Sequence, residues 1–140
     1  MSRFIAIGLL LAATAGCATS PVSEFDARPA PANQVMAFKN NAPGSGALSI
    51  TRDSGHTGSL CAVGVFVNGR VAALLYPSET VALYVPAGQV VIGAAYQGEG
   101  ICGMGADRQE RDVTVTGGKA KKYRISTSAG GILDVLPSTL

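Results

Sequence analysis

The chain has no tryptophan, a single histidine and few charges: Lys, Arg, Asp and Glu together make up 14% of its 140 residues. One histidine supplies no ready metal set, because a zinc site would need two or three further ligands close to His56. Charge of one sign is missing as well. A formal net charge of +2, without a strong basic cluster, argues against nucleic acid as a partner, since phosphate recognition needs a concentrated positive excess. Beyond residue 16 no segment carries an apolar 3.6-residue repeat over about eleven positions, so no long amphipathic helix is expected. There is no Gly-x-Ser-x-Gly elbow of the kind that presents a nucleophilic serine. What the chain has in quantity is glycine, 18 residues, spread through Val-rich segments. That is the composition of many short strands joined by tight turns.

The chain opens with Met1-Ser2-Arg3, an apolar run from Phe4 to Ala13, and the small residues Thr14-Ala15-Gly16 ahead of Cys17. This is the layout of a signal peptide. The run is too short for a bilayer core, which takes about 20 helical residues, so it is expected to be removed. The stretch Thr14-Ala15-Gly16-Cys17 resembles the bacterial lipobox, although Thr14 stands where that motif prefers leucine. The resemblance implies that Cys17 is diacylated and becomes the new N-terminus. The alternative is a secretory signal cut after Ala15. Cysteine counting favours acylation: the chain has three cysteines, and lipidating Cys17 leaves Cys61 and Cys102 as an even pair. Ala18, in place of aspartate, implies by the sorting rule of enteric bacteria an outer-membrane address facing the periplasm. With Arg3 gone, ten basic residues face nine acidic ones and the net charge is close to zero.

Three segments are therefore expected: a leader over residues 1–16, a lipidated tether over 17–33, and one domain over 34–140. Pro21, Pro29 and Pro31 and the low apolar content make 18–33 look like an extended spacer. Beyond it, seven or eight antiparallel strands are expected. Gln34–Phe38 and Ala47–Thr51 are short candidates on either side of the loop 40–46. Leu60–Val67 and Arg70–Tyr76 flank Asn68-Gly69, the preferred pair for a two-residue hairpin turn. Glu79–Val85, Gln89–Tyr96 and Arg111–Thr116 follow. Gly117-Gly118 then reads as a hairpin into Lys119–Thr127, and Ile132–Leu136 closes the series. Together they predict an all-β fold, an immunoglobulin-like or transthyretin-like sandwich.

The runs Val65-Phe66-Val67-Asn68-Gly69-Arg70-Val71-Ala72, Tyr84-Val85-Pro86-Ala87-Gly88-Gln89, Gly117-Gly118-Lys119 and Tyr123-Arg124-Ile125 resemble PEGA-type and related small bacterial lipoprotein β-sandwiches. The likeness covers about Leu60 to Thr127 and rests on turn chemistry. It implies no catalytic residues and no cofactor.

Four constellations bear on function. Cys61 and Cys102 suit a structural disulfide in an oxidising compartment, with free buried thiols as the alternative; no Cys-x-x-Cys points to redox chemistry. Gly98-Glu99-Gly100-Ile101-Cys102-Gly103 matches the dinucleotide fingerprint in letters, but no amphipathic helix of a βαβ unit follows it. Asp53, Ser54, His56 and Ser59 share one Gly-rich loop, whereas triad members come from separate rigid elements. Lys119, Lys121, Lys122 and Arg124 form the one basic cluster, read either as contact with an anionic surface or as charge guarding a sheet edge. The function expected is a monomeric, non-enzymatic, lipid-anchored envelope module that is structural or binds envelope proteins. The alternatives are an accessory lipoprotein of a secretion or conjugation machine, a cell-wall or lipid-modifying enzyme, and a small-ligand binder.

Overall fold

The computed structural model describes residues 18–104 and 107–140. The leader and Cys17 lie outside the described residues. The strands are β1 (Arg28–Pro29), β2 (Ser45–Arg52), β3 (Ala62–Val67), β4 (Arg70–Leu75), β5 (Glu79–Pro86), β6 (Gly88–Gln97), β7 (Gln109–Val115), β8 (Ala120–Thr127) and β9 (Leu133–Pro137). They form two sheets, one in the order β1-β5-β2-β8-β9 and the other β4-β3-β6-β7. Leu48, Ile50, Val81, Leu83, Tyr123 and Ile125 of the first sheet share one buried apolar cluster with Val63, Val65, Val67, Ile92, Val113 and Val115 of the second. The all-β expectation therefore holds, with two layers over one core.

Period-two alternation builds these strands. In β5, Val81, Leu83 and Val85 are buried while Ala82 and Pro86 are exposed, and in β7 Val113 and Val115 point inward between exposed Asp112 and Thr114. β3 is buried on both faces. Its valines enter the core, while on the other face the Arg108 guanidinium lies 4.5 Å from the centre of the Phe66 ring. Between β3 and β4 the turn is as expected. Asn68 and Gly69 both take left-handed backbone, with φ of 47° and 79°, which glycine and asparagine tolerate far better than a β-branched residue.

Several expectations need correction. Among the described residues there are nine strands, and they are not all antiparallel: β1 runs parallel to β5, and β2 parallel to β8. Gly117-Gly118 does not make a hairpin, because β7 pairs with β6 while β8 pairs with β2 and β9. The connection crosses from one sheet to the other, as do those at Pro77-Ser78 and Ala87. Alternation tells which face of a strand is buried; it carries no information about which strand lies beside it. The strand expected over Gln34–Phe38 is instead a short 3-10 turn at Ala32–Gln34 and one antiparallel bridge, Val35 to Ala73. Phe38, at φ 58°, breaks the extended run. Cys61 precedes β3 rather than lying in it.

The largest correction concerns the expected tether. Residues 19–30 lie along the first sheet and are bonded to it at both ends. The Thr19 amide donates to the Thr127 carbonyl at 3.0 Å, and Ser20 and Ser54 exchange backbone hydrogen bonds at 2.9 and 3.0 Å. Further along, the Arg28 and Ala30 amides donate to Ser78 and Thr80, each at 2.8 Å. Pro29 falls between them, where its missing N–H faces away from β5. Proline therefore bars this segment from a central strand, but it costs nothing at a sheet edge.

Candidate functional site

One end of the two-layer body collects the loops 53–61, 98–104 and 128–132, the turn 76–78, and Ala18, the first described residue. Strand direction dictates this grouping, since β2, β4, β6 and β8 finish at this end and β3, β5 and β9 start there.

Three devices tie the end together. The first is the disulfide between Cys61 and Cys102, with an S–S distance of 2.03 Å and Cα atoms 5.4 Å apart, which joins the β2–β3 loop to the 3-10 turn Gly100–Met104. The second is Arg52, the last residue of β2 and only 2% exposed. Its Nη1 donates to the carbonyls of Cys61 at 2.7 Å and Leu75 at 2.8 Å, and its Nη2 to that of Gly58 at 2.8 Å. Burial pulls its pKa below the ordinary arginine value, opposed by Tyr96, Glu79 and Tyr76. One guanidinium thus holds three carbonyls, two in the β2–β3 loop and one at the end of β4, by charge-assisted hydrogen bonds, which a lysine's point charge would not reproduce. Beside it, buried Glu79 accepts from the Tyr76 amide and from Gln34 Nε2, each at 2.8 Å, and so closes the β4–β5 turn.

The third device is the latch under the N-terminal segment. Asp53, 1% exposed, pairs through Oδ2 with Arg124 and accepts from the Thr19 hydroxyl at 3.3 Å, while its Oδ1 is buried without a hydrogen-bond partner. Burial pushes this carboxyl above its ordinary value; Arg124 and Thr19 pull it back. Further along the segment, Glu24 pairs with Lys122 at 2.6 Å and accepts from Ser49, and Lys122 followed by Ser49 holds its carboxyl below the usual range. The Lys122 ammonium also lies 5.0 Å from the centre of the Phe25 ring.

The four basic residues therefore do not form one surface. β8 lies between β2 and β9, so they guard no sheet edge. Lys122 and Arg124 are neutralised beneath the N-terminal segment. Lys119 and Lys121 sit near the start of β8, towards the opposite end, and Lys121 donates to the Thr114 carbonyl. In the Gly-rich loop, Asp53 is committed to Arg124 and Thr19, and the Ser54 hydroxyl donates to the Ser20 carbonyl at 3.3 Å. His56 instead faces a hollow of about 480 Å³ shared with Leu60, Cys61, Tyr96, Ile101 and Gly131. The glycine run 98–103 leads into one five-residue 3-10 turn, not an α-helix. Among the described residues no three His, Cys, Asp or Glu side chains are grouped as a metal ion requires, and no helix is long and apolar enough to cross a membrane.

Arg52 and Asp53 went unnoticed in the sequence as structural anchors. A signal existed for the first: Arg52 continues the inward parity of Leu48 and Ile50, which puts a cation on the core face of its strand. No family model matches the chain, and no curated protein or solved structure matches it significantly.

Proposed function

We propose that the chain is a non-enzymatic lipoprotein of the bacterial envelope, anchored through acyl chains on Cys17. Its body is an immunoglobulin-like or transthyretin-like sandwich of the PEGA-like kind, acting as a structural or protein-interaction module on the periplasmic side of the outer membrane. The observation that carries this reading is the use of the cysteines. Cys61 and Cys102 are spent on one disulfide, which suits an oxidising compartment and leaves Cys17, at the end of a signal-like leader, as the third thiol. Acylation gives that thiol a role. A terminus carrying several acyl chains binds a bilayer stably, whereas one chain binds marginally.

Confinement to one surface raises the effective concentration of the body for partners on the same surface, which is how a small module without chemistry of its own contributes. The test is Cys17→Ser in intact cells, followed by fatty-acid labelling and membrane fractionation. Loss of label and release from the membrane are expected; unchanged label and fractionation would overturn the reading. Crosslinking of the lipidated protein in cells, with identification of the captured envelope proteins, then tests the interaction role.

A further inference from the structure

We infer that the loop end carrying Ala18 rests on the lipid bilayer itself, with Leu60, Ile101, Met104 and Ile132 dipping into its interface. This rests on the lipid anchor at Cys17 proposed above and adds to it the face that the body turns to the membrane.

The first argument is distribution. Eight large hydrophobic side chains are exposed among the described residues, and five of them, Leu60, Tyr76, Ile101, Met104 and Ile132, belong to this one end. Single exposed apolar residues are normal, but their collection at one place marks a contact surface. Leu60 is 91% exposed and Ile101 and Met104 are each 83% exposed, so these are loop tips and not the rims of a core. Leu60 precedes Cys61 and Ile101 precedes Cys102, so the disulfide fixes the two most projecting aliphatic residues side by side. Arg52 holds the carbonyls on either side of Leu60, at Gly58 and Cys61. Leu60 and Ile101 are thus held in place before they meet anything, and little ordering entropy stands against their contact.

The second argument is reach, and it selects the occupant. A tether of about fifteen free residues would let the body lie at any angle to the membrane and well away from it. No such freedom exists, because Thr19 and Ser20 are bonded to Thr127 and Ser54. Whatever is attached to Cys17 begins one peptide bond from Ala18. Ala18 borders the same shallow depression as Ile132, and the ideal Cβ position of Gly55, in the loop that carries Leu60, lies 2.9 Å from the Thr19 side chain. Acyl chains entering a bilayer at that point bring the apolar tips to its surface.

The third argument is charge. The segments 54–61 and 128–132 contain no Lys, Arg, Asp or Glu, and 98–104 contains only Glu99. Lys119, just before the start of β8, lies towards the opposite end, roughly 25 Å away at about 3.3 Å per residue. The tips themselves are therefore apolar, and charge lies at their margin, where Arg124 and Asp134 line the depression beside Ala18 and Ile132 and Arg28 donates to the Pro77 carbonyl at 3.4 Å.

The absence of tryptophan makes the test direct. Leu60→Trp and, at the opposite end, Arg70→Trp are introduced singly into the full chain, and the lipidated proteins are reconstituted into vesicles of zwitterionic phospholipid with and without brominated acyl chains. The Leu60→Trp indole is expected to shift to the blue and to be quenched several-fold more strongly by brominated lipid than the Arg70→Trp indole, which iodide quenches instead. Equal access of iodide to both indoles, with fatty-acid label retained on Cys17, would overturn this inference and leave the anchor standing. Loss of both label and vesicle binding at the outset would instead be the failure of the anchor. A blue shift that grows with protein density and is insensitive to brominated lipid would assign the face to a second copy of the chain and also overturn the inference.

Discussion

The two ends of the body are built by different means. At one, the chain reverses or crosses over in a few residues at Asn68-Gly69, Ala87-Gly88 and Gly117-Gly118, where left-handed or otherwise positive φ at Asn68, Gly69, Gly88 and Gly118 does the work. These turns are tied to neighbouring strands mainly through backbone groups: Asn68 exchanges bonds with the Val91 backbone at 2.8 and 2.9 Å, and the Ala87 and Gly118 amides donate to the Gly44 and Ser45 carbonyls at 3.2 and 2.9 Å. At the other end the loops are longer and are held through side chains: the Cys61–Cys102 disulfide, the Arg52 guanidinium on the Leu75 carbonyl, and the Thr19 hydroxyl on Asp53 and Thr127. The contrast teaches that a small domain can leave one end to turn chemistry while the other, which presents its apolar tips, needs crosslinks to keep a fixed shape.

Breaking the crosslinks should separate the two ends most clearly. Cys61→Ser with Cys102→Ser opens a loop of 41 residues and should lower unfolding stability by about 4 kcal/mol on the chain-entropy account. Denaturant titration measures the loss. Native-state hydrogen exchange should show faster exchange first in 53–61 and 98–104, with the amides around Asn68 the last to respond; uniform acceleration would mean that the two ends are one cooperative unit.

Arg52→Met ranks next, at about 3 kcal/mol, because it strands the Gly58, Cys61 and Leu75 carbonyls without their donor. Arg52→Lys should recover little of this, since one ammonium on a flexible stem does not span the three acceptors.

Arg124→Met removes the cation that offsets the burial of Asp53 and should cost about 2 kcal/mol near neutral pH. The folded-state pKa of Asp53 already lies above its ordinary value, and loss of Arg124 raises it further. The folded state then holds the proton more tightly than the unfolded chain. Stability of the variant should accordingly fall as pH rises from the ordinary carboxylate value through the raised one, and the deficit against the parent should shrink in mild acid. Melting temperatures across that range report it, and a deficit independent of pH would remove Asp53 from the account.

The smallest effect belongs to the opposite end. Asn68→Val forces a β-branched residue into left-handed backbone and should cost about 1 kcal/mol, read by denaturant titration. It should leave the exchange rates of the loop end unchanged apart from the global shift.

Much of the fold was legible because it is local. Alternation in β5 and β7, the Asn68-Gly69 pair, and the even count of Cys61 and Cys102 each depend on residues or numbers that can be read along the chain. The docking of residues 19–30 was not legible, because prolines and low apolar content look the same in a free spacer and in an edge segment held by backbone bonds. The candidate site was half legible: its cysteines were visible, while the burial of Asp53 and the separation of Lys119 from Arg124 were not.

Taken alone, then, the amino-acid order determined the β class, the turn positions, the inward face of most strands and the two cysteines available for pairing, since turn geometry and period-two burial act over a few neighbouring residues. Only the tertiary structure decided the sheet order, the parallel neighbours β2 and β8, the clamping of Thr19 and the gathering of Leu60, Ile101, Met104 and Ile132 at one end. Those depend on which distant segments bury each other's apolar faces and satisfy each other's backbone groups, and that is a property of the assembled body.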